Sequence, residues 1–200
     1  LNSLFHKMHD TLGNIKHNLS TFIPNGNHQI TDPLAEAKNT IKELSDIYKF
    51  KKTIELDASK DIIFSRIINI LQMKYKLDYF SFYEVNHVQN TRKLIYVHGE
   101  TIICKDEVDN NSILCRAYRT KTDVISTDFT NLCQACKNTE LKYICLPFTI
   151  NNEHSLILSM HVENDELMKD LHTKIPAIKN YLEAAKPVIE SRILMNTLRD

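Results

Sequence analysis

Four of the five cysteines in the chain lie close together in the sequence, with a spacing that could create one chemical site. Cys115, Cys133, Cys136 and Cys145 follow the pattern C-x17-C-x2-C-x8-C. Two cysteines separated by two residues can direct both sulfurs at one ion, and folding can bring two further thiolates across to complete a tetrahedron. The spacing therefore predicts a metal site made of these four side chains, with zinc as the favoured ion.

The same cysteines allow other chemistry. Four thiolates can also hold an iron–sulfur cluster, which would make the site a sensor of redox state or of gases. Cys133 and Cys136 could instead form a reversible disulfide, as in a thiol switch or a redox enzyme. Structural disulfides and free thiols packed in a core are further alternatives. Cys104 lies outside the pattern, and we expect it to be a buried strand residue, with a role as a substitute ligand as the alternative.

Apolar periodicity indicates the elements that must position these cysteines. Helical periods cover residues 1–22, 31–48, 59–76, 112–119 and 169–200. Strand-like segments cover residues 79–85, 92–98, 101–104, 123–126, 141–149 and 155–163, and Asn151-Asn152-Glu153 connects the last two as a hairpin. Within the second strand, Leu94, Tyr96 and His98 alternate with Lys93, Ile95 and Val97 and should share one face.

This order of elements predicts an α+β fold, in which one antiparallel sheet carries the N- and C-terminal helices on one face. Cys115 would lie on a helix, Cys145 on a strand, and Cys133 and Cys136 in the loop between them. Because a loop of that length with little apolar content commonly needs an anchor, a bound metal ion would tether it. Because the chain begins with Leu1 and ends within a helical pattern at Asp200, we expect a fragment of a longer protein.

Composition excludes several classes of function. With only 3 glycines, the chain can form neither of the common glycine-rich phosphate-binding loops. The 25 basic residues balance the 25 acidic ones, which argues against a nucleic-acid partner. No apolar run approaches the length of a membrane span and no leader peptide is visible, so we expect a cytoplasmic protein with no membrane partner.

Residues 112–160 resemble a GAF domain, the small-molecule and sensory module of bacterial signalling proteins. The segments that carry the resemblance are Ser112–Thr120 followed by Asp123-Val124-Ile125, the apolar strand Tyr143–Phe148, and the returning strand Ser155–His161. A narrower likeness rests on three features of the sequence, which are Cys115-Arg116-Ala117-Tyr118-Arg119, the Cys133–Cys136 pair and Cys145. These resemble the cysteine-containing GAF domains that precede GGDEF diguanylate cyclase domains, although Tyr118 replaces a leucine and Cys136 stands where histidine is common.

The resemblance implies a GAF-like antiparallel sheet and a sensory domain that is not itself an enzyme. It divides the chain into an N-terminal helical linker or dimerisation segment (1–52), the sensory domain (53–186) and a connector helix (187–200). This connector would lead to an output domain, a diguanylate cyclase that would make cyclic di-GMP. It also implies a homodimer through the terminal helices and an unidentified small-molecule ligand. The signatures of bilin-binding, cyclic-nucleotide-binding and methionine-sulfoxide-reducing GAF domains are missing. A purely structural dimerisation module is a further hypothesis.

Overall fold

The computed structural model of the chain describes residues 33–99, 102–129, 132–137 and 140–198. By its internal contacts the chain divides into two compact units, residues 1–46 and 47–200. The described part of the first unit is the beginning of helix α1, which runs over Pro33–Ile54. The predicted helix over residues 1–22 lies outside the described residues. All five cysteines belong to the second unit.

The second unit is built on a five-stranded antiparallel sheet. Its strands are β1 (Phe80–Asn86), β2 (Thr91–His98), β3 (Val124–Ile125), β4 (Lys142–Thr149) and β5 (His154–Val162). Their order across the sheet is β2-β1-β5-β4-β3. The β4–β5 pair is the predicted hairpin, and Asn151 Oδ1 closes its turn by accepting hydrogen bonds from the backbone N–H groups of Glu153 and His154.

The remaining helices differ in length between the two sides of the sheet. They are α2 (Lys60–Asn69) with the following π-helical turn (Ile70–Lys74), the short α3 (Glu107–Asn110) and α4 (Arg116–Thr120), and α5 (Asp165–Thr197). The helix predicted over residues 112–119 is interrupted, because a 3-10 turn at Ser112–Leu114 precedes α4. Among the described helices, none is long and apolar enough to cross a membrane.

One face of the sheet carries the larger hydrophobic core. Alternate residues of the central strands, such as Phe82, Leu146 and Leu158, point toward α2 and α5 and are completely buried. The C-terminal end of α1 joins them through Ile54. Helix α5 continues through Pro176 and Pro187 with its apolar side buried in this core. Helices therefore pack on one face of an antiparallel sheet, and the predicted α+β, GAF-like fold is confirmed.

The second face of the sheet is covered by the short elements between β2 and β4. Here Tyr83, Val85, Tyr143 and Ile157 form a smaller core with residues of the segment 103–136. A bulge in β2 contributes to this face: Phe82 lies opposite Tyr96, whereas Tyr83 lies opposite Leu94. Because one extra residue reverses the alternation of side chains, Leu94 shares the second face with Tyr83, and the predicted common face of Leu94, Tyr96 and His98 is wrong.

Candidate functional site: a cysteine cluster on the second face

Cys145 anchors the cysteine cluster to the sheet. It lies on β4 between Val124 of β3 and Ser159 of β5, and its side chain is buried on the second face. The Cys145 Sγ and the Ser159 Oγ are 3.3 Å apart and form a hydrogen bond. Burial raises the pKa of the Cys145 thiol well above its ordinary value. At neutral pH this residue is therefore a protonated thiol held by a neighbouring hydroxyl group.

Cys115 lies at the junction between the 3-10 turn and α4. Its backbone is extended, its N–H donates to the Ser112 carbonyl (2.9 Å), and its carbonyl accepts from the Arg119 N–H (3.0 Å). Ser112 is in turn fixed by the Asn90 side chain in the turn between β1 and β2. The side chain of Cys115 is buried, and this burial raises the pKa of its thiol to about 11.

Cys133 and Cys136 occupy one tight turn of the loop that precedes β4. The Cys136 N–H donates to the Cys133 carbonyl (3.1 Å), and the Cys133 N–H donates to the Tyr143 hydroxyl (3.2 Å). Cys136 is buried and Cys133 is half-buried. The pKa of Tyr143 is raised, first by burial and then by the neighbouring Cys133 and Cys136. Both residues therefore lie in the loop before β4, the part of the chain in which the sequence analysis expected them.

Cys104, which the sequence analysis expected to be a buried strand residue or else a substitute ligand, is buried in the same cluster. It forms an isolated antiparallel bridge with Cys136. Hydrogen bonds from the Lys105 N–H to the Ala135 carbonyl (2.8 Å) and from the Lys137 N–H to the Ile103 carbonyl (2.6 Å) flank the pair on both sides. Cys104 and Cys136 are therefore a non-hydrogen-bonded cross-strand pair, the arrangement in which opposite side chains approach most closely.

The five cysteines are present as thiols, and four of them are buried. Cys104, Cys115, Cys136 and Cys145 belong to the second core, with Cys133 packed against it. As a donor set, thiols suit zinc. Among the described residues, however, no group of three or more histidine, cysteine or acidic side chains is arranged to hold a metal ion. The zinc site at Cys115, Cys133, Cys136 and Cys145 therefore stays a prediction.

A cavity of about 550 Å³ opens beside β4, and two of the cysteines line it. Cys133, Cys136 and Tyr143 form part of its wall. Lys142 and Asp165 also line it, and they form an ion pair that lowers the pKa of the Asp165 carboxyl group. Because Asp165 is the first residue of α5, the cavity adjoins both the cysteine cluster and the C-terminal helix.

The second core also contains one buried cation, Arg92 on β2. Its guanidinium lies over the Tyr83 ring at 4.0 Å from the centroid, and its Nε and Nη2 donate to the same carboxylate oxygen of Asp109 at 2.9 and 2.8 Å. No pattern in the sequence indicated that Arg92 is buried, because an arginine in a strand is usually solvated. Its burial results from the bulge in β2 and from the covering helix α3.

Comparisons with known proteins agree with this architecture. No protein-family model and no curated protein matches the chain. Free methionine-R-sulfoxide reductase from Neisseria meningitidis, solved with its substrate, aligns with a TM-score of 0.56 and 13% identity over 86% of this chain and 99% of its own. A fragment of a methyl-accepting chemotaxis protein, residues 122 to 287, aligns with a TM-score of 0.53 and 10% identity over 74% of this chain and 97% of its own. At such identities the likeness establishes a shared fold.

Proposed function

We propose that this chain is the sensory and regulatory domain of a larger signalling protein, GAF-like in build and without a catalytic centre of its own. The observation that carries the proposal is the cavity beside β4, whose wall includes both Cys136 and Asp165. A chemical change at the thiols, or a small ligand in the cavity, would act on α5 through the Lys142–Asp165 ion pair. Helix α5 would then transmit the signal to a downstream domain.

As the signal, we favour oxidation of Cys104 and Cys136 to a disulfide. Opposite residues of a non-hydrogen-bonded pair have Cα atoms about 4.5 Å apart, within the range of roughly 4.4–6.8 Å that a disulfide requires. The isolated bridge between Cys104 and Cys136 is a pairing of this kind. It therefore replaces the Cys133–Cys136 pair of the sequence-based hypothesis as the favoured redox couple.

The oxidation can be written with a peroxide as the oxidant. The sulfur of Cys136, a residue that lines the cavity, attacks the distal peroxide oxygen, and the O–O bond breaks to leave a sulfenic acid and an alcohol or water. The Cys104 sulfur then attacks the Cys136 sulfur and releases its thiol proton, the S–O bond breaks, and the hydroxide that leaves takes up this proton as water. In total, two thiols lose two electrons to one peroxide. A reducing dithiol reverses the change.

The output would depend on the C-terminal part of α5. Leu194, Met195 and Leu198 are exposed there, at 55%, 47% and 87% of their surface. Their exposure supports pairing with the same helix in a second copy of the chain, in line with the predicted homodimer. The GGDEF-associated likeness of the cysteine segments supports a diguanylate cyclase as the output domain, because such a cyclase needs two active sites to meet.

Zinc binding is a second candidate for the signal or for a structural role. It is favoured by the presence of Cys115, Cys133, Cys136 and Cys145 in one cluster around the second core. These four side chains would hold the ion, which would pin the loop before β4 to the sheet. An iron–sulfur cluster on the same thiols is the alternative with redox activity.

Disulfide mapping on the anaerobically purified chain tests the favoured signal. We expect stoichiometric hydrogen peroxide to produce a Cys104–Cys136 linked peptide in a digest made without reductant. Cys104→Ser and Cys136→Ser should abolish the peptide, whereas the matched variant Cys133→Ser should retain it. Hydrogen exchange should change in α5 only in those proteins that form the linkage. A Cys133–Cys136 linkage, or oxidation without any change in α5, would contradict the proposal.

Elemental analysis of the same preparation separates the alternatives. About one zinc per chain, lost in Cys115→Ser, would favour the zinc site, and iron with visible colour would favour a cluster. The thiol switch predicts neither metal. Rapid repeated peroxide reduction in the presence of a dithiol would point to a redox enzyme instead of a switch.

A further inference from the structure

A second cavity, of about 360 Å³, opens among the short elements that cover the second face of the sheet. Residues of α3, of α4 and of the segment 132–135 line it, and it shares no lining residue with the cavity beside β4. Its volume falls within the range of about 300–1,000 Å³ that is usual for small-molecule sites. The proposed thiol switch makes no use of this cavity.

The charged side chains of this second cavity are unbalanced. Lys105, Arg116 and Arg119 line it together with one carboxylate, that of Glu107. Three cations against one carboxylate give the lining a net charge of +2, in a chain whose formal net charge is zero. A cleft lined mainly by charges of one sign concentrates ligands of the opposite sign. The cavity therefore favours anions.

The two arginines of α4 have few partners within the described part of the chain. The Nη1 of Arg116 donates to the Leu132 carbonyl at 3.3 Å, and the Nη1 of Arg119 donates to the Ile113 carbonyl at 3.4 Å. No described carboxylate forms an ion pair with either guanidinium or with Lys105. Because a guanidinium has five N–H donors in a planar fork, most donors of both arginines remain for a ligand.

The spacing of these arginines allows them to act on one ligand. Arg116 and Arg119 are three residues apart on α4, so their side chains are neighbours on the helix surface. Like charges at such spacing repel each other, and an anion bound by both guanidinium groups would remove this repulsion. Guanidinium groups bind carboxylates and phosphates through paired hydrogen bonds. Two neighbouring arginines therefore suit a ligand with two negative charges.

Apolar side chains form another part of the cavity wall. Val108 of α3 and Ala135 are buried, and Leu132 is half-buried. Inorganic phosphate would gain nothing from these side chains, whereas a hydrocarbon chain or ring would be withdrawn from water against them. The wall thus combines groups for an anion with groups for an apolar portion of the same molecule.

We propose that this cavity binds a small organic dianion, in which a phosphate or two carboxylate groups contact Arg116 and Arg119 and an apolar portion contacts Val108 and Ala135. Lys105 contributes a third positive charge, whereas the carboxylate of Glu107 opposes the anion and weakens the site. The site adds a ligand-binding function to the proposed sensory domain and does not depend on the thiol switch.

The segment 132–136 gives such a ligand a route to the rest of the domain. Leu132 and Ala135 line the second cavity, and Cys133 and Cys136 line the cavity beside β4. A ligand in the second cavity would therefore contact the same loop that carries two of the thiols. Binding should slow hydrogen exchange in this loop and in α4.

Titration calorimetry on the reduced chain, in a low-salt buffer without phosphate, tests the site with phenyl phosphate and phthalate. We expect at least one of these aromatic dianions to bind with one molecule per chain, at least tenfold more tightly than benzyl alcohol or inorganic phosphate. Phenyl phosphate alone would identify a phosphate ligand, and phthalate alone a dicarboxylate. Absence of binding by both dianions, or equally tight binding of benzyl alcohol or of inorganic phosphate, would overturn the inference.

Variants locate the binding site. Arg116→Gln and Arg119→Gln should each weaken binding about tenfold, because each removes charged hydrogen bonds to the ligand. The matched control Lys121→Gln removes an exposed cation that follows α4 outside the cavity, and it should leave the affinity unchanged. Glu107→Gln should strengthen binding about threefold, a gain that damage to the fold cannot produce.

Two results with these variants would contradict the site. One is an unchanged affinity in both arginine variants, and the other is a loss in Lys121→Gln as large as that in Arg119→Gln. Because the titration uses reduced protein, it does not depend on any disulfide. Failure of the thiol switch and failure of the dianion site are therefore separate outcomes.

Discussion

The two faces of the sheet are covered by different kinds of structure. On the first face, the long helices α2 and α5 pack on aliphatic and aromatic side chains such as Phe82 and Leu158. On the second face, helices of four and five residues and extended segments cover a core that includes thiols, serines and Arg92. The chain thus separates the part that stabilises the fold from the part that carries reactive groups.

This difference has a physical basis. Buried apolar area stabilises a fold at about 25 cal/mol per Å², whereas buried polar groups contribute only when they are fully hydrogen-bonded. Within the described residues of the second face, the Tyr83 hydroxyl and the Nη1 of Arg92 are buried without a hydrogen-bond partner. Local stability should therefore be lower there, as is common for binding and regulatory regions. A chemical change at a residue of the second face can then alter the local structure of that face without unfolding the core on the first face.

The largest expected difference between the faces comes from truncating one buried side chain on each. Leu158 on β5 is completely buried between Phe82 and Leu146, so Leu158→Ala should lower the free energy of unfolding by about 3 kcal/mol. Cys145→Ala removes one sulfur and its hydrogen bond to Ser159, and should cost about 1 kcal/mol. Urea unfolding of the reduced proteins measures both values. Equal losses would show that the two cores stabilise the domain equally.

The first face was largely predictable from the sequence. The segments 141–149 and 155–163 are apolar on both sides, as strands buried on both faces must be, and they form β4 and β5 within one or two residues of the expected ends. Helix α5 continues through Pro176 and Pro187, although a proline within a helix usually kinks or ends it. Burial of its apolar side in the first core compensates for the missing backbone hydrogen bonds.

The second face was less predictable, because its contacts depend on tertiary structure. The spacing of Cys115, Cys133, Cys136 and Cys145 placed them in one region, and all four belong to or pack against the second core, although no three of the described side chains are arranged to hold a metal ion. Cys104 joins them only because its segment pairs with the loop at Cys136, a contact across 32 residues that no local pattern indicates. The burial of Arg92 depends on a bulge in β2, and a bulge has no distinct signature in an alternating strand.

Alkaline pH should weaken the second face before the first. Burial raises the pKa of Cys115 from 9.0 to about 11, so the unfolded chain loses this proton at lower pH than the folded chain. The contribution of the Cys115 thiol to the free energy of unfolding is complete below pH 9. It decreases by about 2 kcal/mol as the pH rises to 11. Urea unfolding of reduced protein at the two pH values should give a smaller difference for Cys115→Ala than for wild type.

Val108→Ala is the matched control for this titration. Val108 is buried in the same core and does not ionise, so its truncation should lower the free energy of unfolding by a similar amount at both pH values. If Cys115→Ala behaved in the same way as Val108→Ala, the alkaline loss would have to come from other groups.

The smallest expected effect concerns the end of α4 on the second face. Lys121 follows this helix with a left-handed backbone, φ 54° and ψ 27°, whereas α5 on the first face ends at Leu198 with a right-handed one. Glycine adopts the left-handed conformation without strain from a Cβ atom. Lys121→Gly should therefore raise the free energy of unfolding by about 0.5 kcal/mol and increase hydrogen-exchange protection in α4.

Lys121→Ala separates backbone strain from loss of the exposed lysine side chain. Alanine keeps the Cβ atom, so it should give no gain at this position. A stabilisation by alanine as large as that by glycine would assign the effect to the lysine side chain. If glycine raised protection throughout the first core as well as in α4, the two faces would open together, and the separation between a stable face and a responsive one would not hold.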